Sequence, residues 1–506
     1  MRCLDINQQD LWKKKLLIGG SILFFAFFSM TIRSMTSFMY PLHDRVDQNV
    51  FFTIGREMLN GKVVYTDLAE QKGPYVYLFN ALAAAISSSS MIGIYLFQVV
   101  SFALFVYFCY KIAQHFLSDS QSLMAALLTG MFVITTNCFL RGDNVEEPAF
   151  MLMALSIWLM LRKETKPAVT MLINGLAVGL LFWVKFNLLG FWLGWFILYF
   201  GRLAKEKQWT EIFKRFAVFM SGFLLMAIIP VVYGVLTGSL MECFYQYFYA
   251  NIFLYSGEIT MLERLEKILI GFGKNFIQNP AYFVLIHIGL VSMIRKKDFW
   301  GVQFRNTLLL GYLVMYTGCY FSGVWYDYYY LITAVYSLFG VIFLMHWFSQ
   351  KQWKVGKCLY KFSILAYVLI LAYVVLFGNG ILYYGKKKAD YPQVQFAQII
   401  QSRGGDSLLN YGFIDQGFYL ASGISPSNKY FSKMNIPKES LPEMYEDQWN
   451  QIENQTVDFV VIRMKKNESF EKYKEKEIFK YYKIIAYAES IGDNYRFALL
   501  ERIDLD

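Results

Sequence analysis

Charged residues gather in one short stretch of this chain, between Pro41 and Pro74. The stretch follows the first apolar run directly and holds five acidic residues, four Lys or Arg and one His. Ionisable groups are costly to hold against a bilayer, so such a concentration indicates a use. Its carboxylates could act as bases towards a hydroxyl, and its cations could bind a phosphate. We predict that this stretch forms half of an active site.

Two aspartates, Asp44 and Asp47, precede a predicted helix over 48–60 that ends at Gly61. Its apolar residues fall on one side, so we expect it to lie in the membrane interface. Asp is also a favoured helix cap, and capping stays open as the alternative for these two residues. Capping needs only one of them, however, so the pair favours a chemical role.

Lys72 stands at the end of the stretch, in the sequence Gln71-Lys72-Gly73-Pro74. A Lys in a Gly-Pro turn at the membrane face suits a phosphate, because its ammonium is a compact point charge. The alternative is a Lys that reaches to the interface from a helix start. Upstream, Asp67 and Glu70 have the spacing of a capping arrangement.

A second acidic group lies in the sequence Arg141-Gly-Asp-Asn-Val-Glu146-Glu147-Pro148. Pro148 predicts the start of a helix there, and carboxylates are favoured in a first helical turn by the helix dipole. That explanation covers one acid. Two adjacent glutamates and an aspartate favour a functional interpretation.

Two isolated ionisable residues lie at membrane boundaries. Lys185 interrupts an apolar run, and a residue at that depth is a site candidate, with snorkelling as the alternative. Asp327 lies in the aromatic run 325–330. Such a run is typical of an interfacial belt, but a belt does not require an acidic residue, so Asp327 is unexpected there. His287, inside an apolar run, is interpreted as a packing residue.

The composition identifies a polytopic helical membrane protein. Of 506 residues, 56% are hydrophobic and 17% are charged, and the apolar residues occur in runs of about 20, enough to cross the hydrocarbon core. The net charge of +10 lies in short basic clusters between these runs. That arrangement orients a membrane protein and does not indicate nucleic-acid binding.

The positions of the basic loops predict the topology. They all fall on the cytoplasmic side if the short run 75–86 does not cross the bilayer, which leaves about 11 spans within a range of 11 to 13. The N-terminus is then cytoplasmic and the C-terminus lies outside a plasma membrane. The predicted spans lie near 16–36, 91–112, 121–138, 148–161, 168–184, 187–200, 213–236, 277–294, 306–322, 328–348 and 359–382.

The predicted fold is an all-α polytopic membrane protein with a small C-terminal extracytoplasmic α/β domain. The membrane domain covers 1–385, with its first outer loop over 37–75, and the soluble domain covers 386–506. Alternating apolar residues in Val457–Arg463 and Phe497–Ile503 predict strands in the soluble domain.

Taken together, an acid after the first span, the Gly61-x-x-x-Tyr65-x-Asp67 stretch, the Lys-Gly-Pro turn and an acidic pair two spans later resemble the GT-C membrane glycosyltransferases. The chain resembles especially the bacterial relatives of protein O-mannosyltransferases and of the lipid A aminoarabinose transferase, which are family 39-type enzymes. The resemblance covers roughly the first 190 residues, with a weaker similarity at Tyr326–Leu331. The chain departs from that pattern in having Gln48 after Asp47, Lys-Gly-Pro for Lys-Pro-Pro, and Asp-Tyr-Tyr-Tyr where relatives have His-Tyr.

This resemblance implies transfer of a sugar from a polyprenyl-phosphate donor to a glycan, lipid or protein acceptor on the outer face of the membrane. Asp47 matches the catalytic acid of the family, Lys72 its phosphate-contacting Lys, and Glu146 and Glu147 its acidic second loop. An Asp base and direct displacement would invert the anomeric centre. The further expected roles are donor-phosphate binding by Arg45, Arg141 and Lys185, and substrate binding by Asp44, Tyr65, Asp67, Asp327 and Tyr328.

We expect no cofactor, although a carboxylate-bound divalent ion stays open. The expected partners are the donor, membrane lipids and the acceptor, and no nucleic acid. A transporter or flippase of lipid-linked saccharides is an alternative, which predicts charges along a path through the bilayer and an internal repeat. A polysaccharide polymerase is another, usually with its large loop late in the chain. The charges of this chain gather on one predicted face and in an early loop, which favours the transferase.

Overall fold

The computed structural model describes residues 8–162, 164–255, 259–350, 359–377, 380–468 and 477–503. Over these residues the chain is mostly helical, with one small sheet near its C-terminal end. The predicted combination of a helical membrane protein and a small C-terminal region containing strands is therefore confirmed.

The α-helices of the described residues are named in chain order. They are α1 (Gln8–Arg33), α2 (Val46–Leu59), α3 (Pro74–Ile86), α4 (Ile92–Ala113), α5 (Asp119–Thr135), α6 (Glu147–Leu161), α7 (Pro167–Lys185), α8 (Gly190–Lys205), α9 (Trp209–Leu236), α10 (Leu240–Cys243), α11 (Met261–Gln278), α12 (Pro280–Arg295), α13 (Lys297–Trp300), α14 (Val302–Tyr320), α15 (Ala334–Gln350), α16 (Leu359–Leu376), α17 (Pro392–Ser402), α18 (Phe418–Ser422) and α19 (Pro442–Glu453). A π-helix over Phe244–Leu254 follows α10, and a 3-10 helix over Asp327–Thr333 precedes α15.

Internal contacts divide the chain into two compact units. The first consists of Met1–Ser34, Tyr95–Ala227 and Thr260–Asn379. The second consists of Met35–Ile94, Ile228–Ile259 and Gly380–Asp506. The predicted first outer loop therefore belongs to the same unit as the C-terminal sheet, whereas the predicted domain boundary at 385 stays a prediction.

Several helices are long and apolar enough to cross a membrane. Among the described residues there are five such segments, or six if the pair α11 and α12, bent by 116°, forms one broken span. Three further apolar helices, α3, α6 and the described part of α16, are shorter. The long segments are Trp12–Arg33, Ile92–Ala113, Pro167–Lys205, Trp209–Leu236 and Asp327–Gln350. The predicted count of about 11 spans and the predicted sidedness stay predictions.

Helix α3 lies where the sequence predicts a segment too short to span. It has 13 residues, with Pro74 at its first position, and it ends at Ile86, before Ser87. At ~1.5 Å per residue such a helix is about 20 Å long, short of the ~30 Å hydrocarbon core.

Close helix packing in the first unit depends on small residues. Gly289 of α12 faces Gly340 of α15, and a Cβ on Gly340 would lie 2.0 Å from the carbonyl oxygen of Leu285. Any larger side chain at Gly340 would push the two helices apart. Small residues at such crossings are typical of helices that pack within a bilayer.

The sheet of the second unit has four strands, β1 (Leu408–Tyr411), β2 (Phe459–Lys465), β3 (Tyr482–Glu489) and β4 (Tyr495–Arg502). Their order is β1-β2-β4-β3, with β1 and β2 parallel and the other two pairs antiparallel. Strands β2 and β4 match the two predicted strands to within a few residues. They form the centre of the sheet and are buried over most of their length because helices and loops cover both faces.

Helix α2, which carries the first-loop acids, is covered by protein on every side. All ten residues from Gln48 to Glu57 are buried, which differs from the predicted helix with one face in the membrane interface. Gly55 packs against the backbone of Asn80 and Ala81 in α3. On the polar side, Arg56 donates hydrogen bonds to the carbonyl oxygens of Tyr419 and Ile424.

Asp415 caps the short helix α18 in the second unit. It is completely buried, and its Oδ1 accepts hydrogen bonds from Asn410 Nδ2 at 2.7 Å and from the backbone N–H of Phe418 at 3.0 Å. Burial nevertheless raises the pKa of Asp415 to about 6, because desolvation of the carboxylate outweighs these hydrogen bonds.

We expect this raised pKa to make stability depend on pH. Between the ordinary Asp pKa of about 4 and the raised value, the folded state binds a proton that the unfolded state does not. Stability is therefore highest below this window, falls as the pH rises through it, and stays at the lower value above about pH 6. The neutral variant Asp415→Asn should flatten this slope and raise the unfolding temperature above pH 6.

Thermal unfolding of the purified protein from about pH 4 to about pH 8 measures the effect. Glu446→Gln, at an exposed position of α19, is the control and should keep the slope of the parent protein. An unchanged slope in Asp415→Asn would show that another group carries the dependence.

Candidate active site

The predicted site residues fall into two clusters, one in each unit. Residues 44 to 72 belong to the second unit, whereas residues 141 to 147, Lys185, Asp327 and Tyr328 belong to the first.

Asp47 differs from the other acids of the first-loop cluster, which consists of the predicted site residues between 44 and 72. It lies in the first turn of α2 and is half-buried. Arg45 is the N-cap residue of α2, and its side chain makes no capping hydrogen bond, so neither aspartate occupies the N-cap position itself. Within the described residues, the Asp47 carboxylate has no hydrogen-bond or ion-pair partner, which leaves it available to a substrate.

Asp44, by contrast, is already engaged. It is buried and accepts a hydrogen bond from the hydroxyl of Tyr383. Arg45 is half-buried, and among the described residues its guanidinium pairs with no other group. The structure thus gives different surroundings to Asp44, Arg45 and Asp47. The sequence alone cannot tell which of the three is available to a substrate.

Lys72 stands on a turn whose backbone is held from both sides. Its N–H donates to Glu70 Oε2 at 3.0 Å, and its carbonyl oxygen accepts from the Tyr65 hydroxyl at 2.7 Å. Its ammonium lies over the ring of Phe51, 5.6 Å from the ring centre. The backbone is therefore fixed, and the charged end is directed towards α2.

The contact of Lys72 with Phe51 bears on Asp47. Phe51 lies four residues after Asp47 in α2, and residues at that spacing are neighbours on one face of a helix. We therefore infer that the Lys72 ammonium lies against the face of α2 that carries Asp47. This is the arrangement required of a base that works beside an anionic leaving group.

Two other predicted residues shape the loop itself. Tyr65 is buried, has a positive φ of 72° and donates to the Lys72 carbonyl. Asp67 is exposed, and its Oδ2 accepts the backbone N–H of Val63 at 2.7 Å. Both support the loop that presents Lys72, and a substrate role for either stays a prediction.

The π-helix anchors the same loop. Gln246 donates to the Tyr65 carbonyl at 2.7 Å and accepts from the Glu70 N–H at 3.1 Å, while Asn251 donates to the Gln71 carbonyl at 2.6 Å. π-Helical turns are rare and occur frequently at functional sites.

The first-unit cluster centres on a buried ion pair between Glu146 and Lys185. Lys185 Nζ lies 2.6 Å from Glu146 Oε1, and the two side chains are 11% and 1% exposed. The ammonium also lies 4.1 Å from the ring centre of Tyr329 and 5.3 Å from that of Tyr328. Lys185 therefore points into the protein and does not snorkel.

Glu147 holds the loop before α6. Its Oε1 accepts the Asn144 N–H and its Oε2 accepts from Gln98 Nε2, each at 2.9 Å. Asp143 is in a left-handed conformation, with a φ of 60°. Burial, together with the nearby charge of Glu147, raises the pKa of Asp143 well above its usual range.

Arg141 is buried in this loop, and Asp327 opens the 3-10 helix that contains Tyr328 and Tyr329. The structure therefore brings Glu146, Lys185 and Tyr328 into contact. It places Arg141 in the loop that carries Glu146 and Glu147.

Sequence reasoning did not select three residues of these clusters. Tyr329 lies nearer to Lys185 than Tyr328 does, Glu70 holds the Lys72 turn, and Arg33 is 1% exposed at the end of α1. Arg33 donates to the Ile134 carbonyl at 3.4 Å, and its Nη1 has no partner among the described residues. An arginine in the last turn of the first apolar run was the signal available for it.

The parts of the chain that the structure describes contain no group of three or more His, Cys, Asp or Glu arranged to hold a metal ion. The expectation about cofactors stays a prediction.

We expect that breaking the ion pair from one side lowers the stability of the protein. Removing both charges together should lower it much less. Lys185→Met leaves the Glu146 carboxylate buried and uncompensated, which costs about 3–5 kcal/mol of unfolding free energy. Lys185→Met with Glu146→Gln removes both charges and should restore most of the loss.

Unfolding temperatures of the protein purified in detergent measure both variants. Lys205→Met, at an exposed position at the end of α8, is the matched control and should behave as the parent protein. If the double variant is as unstable as Lys185→Met alone, the loss does not come from the unpaired Glu146.

Residues 71–233 match the model of the family described as dolichyl-phosphate-mannose-protein mannosyltransferase. No curated protein matches the chain in sequence.

Solved structures match nearly the whole chain in fold. ArnT from Cupriavidus metallidurans bound to undecaprenyl phosphate has a TM-score of 0.59 at 11% identity, over 97% of this chain and 98% of that one. Its apo form has a TM-score of 0.58 at 12% identity over the same shares. The oligosaccharyltransferase AglB from Archaeoglobus fulgidus has a TM-score of 0.47 at 13% identity, over 95% of this chain and 74% of that one.

These matches confirm the predicted resemblance and the predicted enzyme class. The chain resembles the GT-C membrane glycosyltransferases, in fold over nearly its whole length and in sequence over residues 71–233, and its class of activity is that of a glycosyltransferase.

Proposed function

We propose that this protein transfers a sugar from a polyprenyl-phosphate donor to a cell-envelope acceptor on the outer face of the plasma membrane. The acceptor is a glycan, a lipid or a protein. The donor class is supported by the undecaprenyl phosphate bound to ArnT and by the dolichyl-phosphate named in the family description. The proposal includes a cytoplasmic N-terminus, an outer C-terminal region and no resident cofactor.

The observation that carries the proposal is the contact of Lys72 with the face of α2 that carries Asp47. Lys72 Nζ lies over Phe51, which is four residues along the helix from Asp47, and the Asp47 carboxylate has no partner among the described residues. Of the five acids between Pro41 and Pro74, the other four already accept hydrogen bonds, Asp44 from Tyr383, Glu57 from Arg56, Asp67 from Val63 and Glu70 from Lys72. Asp47 is therefore our choice as the base.

The proposed step is a direct displacement. Asp47 takes the proton of the acceptor hydroxyl, and the acceptor oxygen forms a bond to the anomeric carbon from the side opposite the phosphate. The bond from the anomeric carbon to the phosphate oxygen breaks, and its electron pair leaves with the lipid phosphate. One displacement inverts the anomeric centre. The leaving phosphate gains negative charge, which Lys72 and Arg45 stabilise.

The first-unit cluster has supporting roles in this proposal. Arg141 and Lys185 contribute positive charge for the donor phosphate, while Glu146 and Glu147 assist in orienting the acceptor. Because Glu146 is paired with Lys185 and Glu147 accepts from Asn144 and Gln98, we assign them positioning rather than proton transfer. Asp44, Tyr65, Asp67, Asp327 and Tyr328 would line or support the substrate sites.

We expect Asp47→Asn to lower sugar transfer by about 10²–10⁴-fold, because the amide cannot take the acceptor proton. A deletion strain complemented with each variant provides the measurement, by mass spectrometry of envelope glycans and of lipid-linked sugars. The donor should accumulate in the Asp47→Asn strain. Asp298→Asn, at an exposed position in α13, is the control. Normal glycan in the Asp47→Asn strain, at equal protein level, would end the assignment of Asp47 as base.

We expect Lys72→Ala to lower transfer by about 10²–10³-fold, because the charge on the leaving phosphate is then not neutralised. Lys72→Arg keeps the charge and should retain more activity than Lys72→Ala. The same mass spectrometry compares them with Lys214→Ala, which removes an exposed lysine of α9. Equal activities of Lys72→Ala and Lys72→Arg would show that the charge at this position does not matter.

A further inference from the structure

A groove runs along α12 in the first unit, and none of the residues assigned to sugar transfer lines it. Its volume is about 500 Å³, and it lies between α12 and residues of α11 and α15. Its walls are apolar over most of their length, formed by Phe276, Phe283, Val284, Ile288, Val291 and Phe343. It ends at Arg295 and Lys296.

The basic end of the groove lacks a protein counter-charge. Arg295 and Lys296 are both exposed, and no carboxylate of the described residues lies within ion-pair distance of either. Arg305 adds a third positive charge nearby, since its guanidinium reaches the Met293 carbonyl of α12 at 3.4 Å. An anion is therefore the complementary ligand at this end.

The apolar walls are accessible along the whole groove. Val284 and Val291 are 44% and 45% exposed, and Phe276 is 49% exposed. His287 brings a polar ring into this stretch, but its Nδ1 already bonds the Phe283 carbonyl at 2.8 Å and its ring stacks on Phe283 at 3.8 Å. A carbonyl can only accept, so Nδ1 carries a proton and the ring is satisfied on that side.

The length of the groove matches one leaflet of a bilayer. Val284 and Arg295 are eleven residues apart in α12, which is about 16 Å at ~1.5 Å per residue. Half of a ~30 Å hydrocarbon core is about 15 Å. The groove is therefore long enough to hold the part of an acyl chain that fills one leaflet.

We propose that this groove is a binding site for an anionic phospholipid. One acyl chain lies along α12 between Val284 and Val291, and the headgroup phosphate contacts Arg295 and Lys296. The occupant is a lipid of the leaflet next to the loop between α12 and α13. Basic pockets between membrane helices bind anionic headgroups in this manner. The proposal uses none of the residues assigned to sugar transfer.

A simpler explanation is that the two cations only orient the chain in the membrane and balance the dipole at the end of α12. That explanation predicts no bound lipid and no difference between Lys296 and Lys297. Matched variants therefore separate the two.

The experiment is native mass spectrometry of the full chain, delipidated in detergent and titrated with phosphatidylglycerol or phosphatidylcholine. We expect retention of phosphatidylglycerol in preference to phosphatidylcholine. Arg295→Gln with Lys296→Gln should weaken phosphatidylglycerol binding about 30-fold, which corresponds to about 1 kcal/mol for each surface charge. Lys297→Gln, one residue beyond the groove, should have a much smaller effect.

A second pair of variants tests the apolar wall. Val291→Trp fills the groove and should abolish retention, whereas Ile294→Trp, also exposed on α12 but outside the groove, should leave it intact. Equal binding of the two lipids, or full retention in both the double charge variant and Val291→Trp, would overturn the proposal. Displacement of the bound lipid by one equivalent of undecaprenyl phosphate would assign the groove to the donor and would also overturn it.

Discussion

The buried carboxylate of Glu70 is the interaction on which the first-loop site depends. It accepts the backbone N–H of Lys72 at 3.0 Å and the hydroxyl of Tyr77, and so joins the Lys72 turn to α3. Buried carboxylates are costly unless they are hydrogen-bonded, and here the hydrogen bonds are supplied by the groups that must be positioned. The stabilisation of the charge and the placement of Lys72 are therefore achieved by one set of contacts.

The same principle organises the other cluster with different chemistry. Glu146 and Lys185 form a largely buried ion pair, and the rings of Tyr328 and Tyr329 lie against the ammonium. Such a pair adds little net stability over two uncharged side chains of similar volume, whereas the loss of one partner alone is costly. The protein thus keeps charged groups in an apolar surrounding by giving each a defined partner. Asp47 has no such partner among the described residues, and this sets it apart from the other acids.

Much of this arrangement could be predicted from the sequence, and the reasons for the remainder are physical. Apolar runs predict helices because a bilayer requires internally satisfied backbone, and the charged stretch between Pro41 and Pro74 is conspicuous against them. The roles of its acids could not be ranked. Asp44 is engaged by Tyr383, which is 339 residues away, and part of the cover over α2 comes from Tyr419 and Ile424. Local pattern carries no information about such distant partners, which is why α2 was expected in the interface and lies buried instead.

The contacts between α2 and the residues around α18 also affect how the protein folds during its synthesis. Arg56 bonds to the carbonyl oxygens of Tyr419 and Ile424, and Glu57 accepts from Ser425, 368 residues later. A ribosome delivers the first loop long before it delivers these partners, and contacts of such large sequence separation form late. The loop that carries Asp47 therefore lacks these contacts through most of translation. Catalytic competence is then a property of the completed polypeptide, and an interrupted nascent chain would be inert.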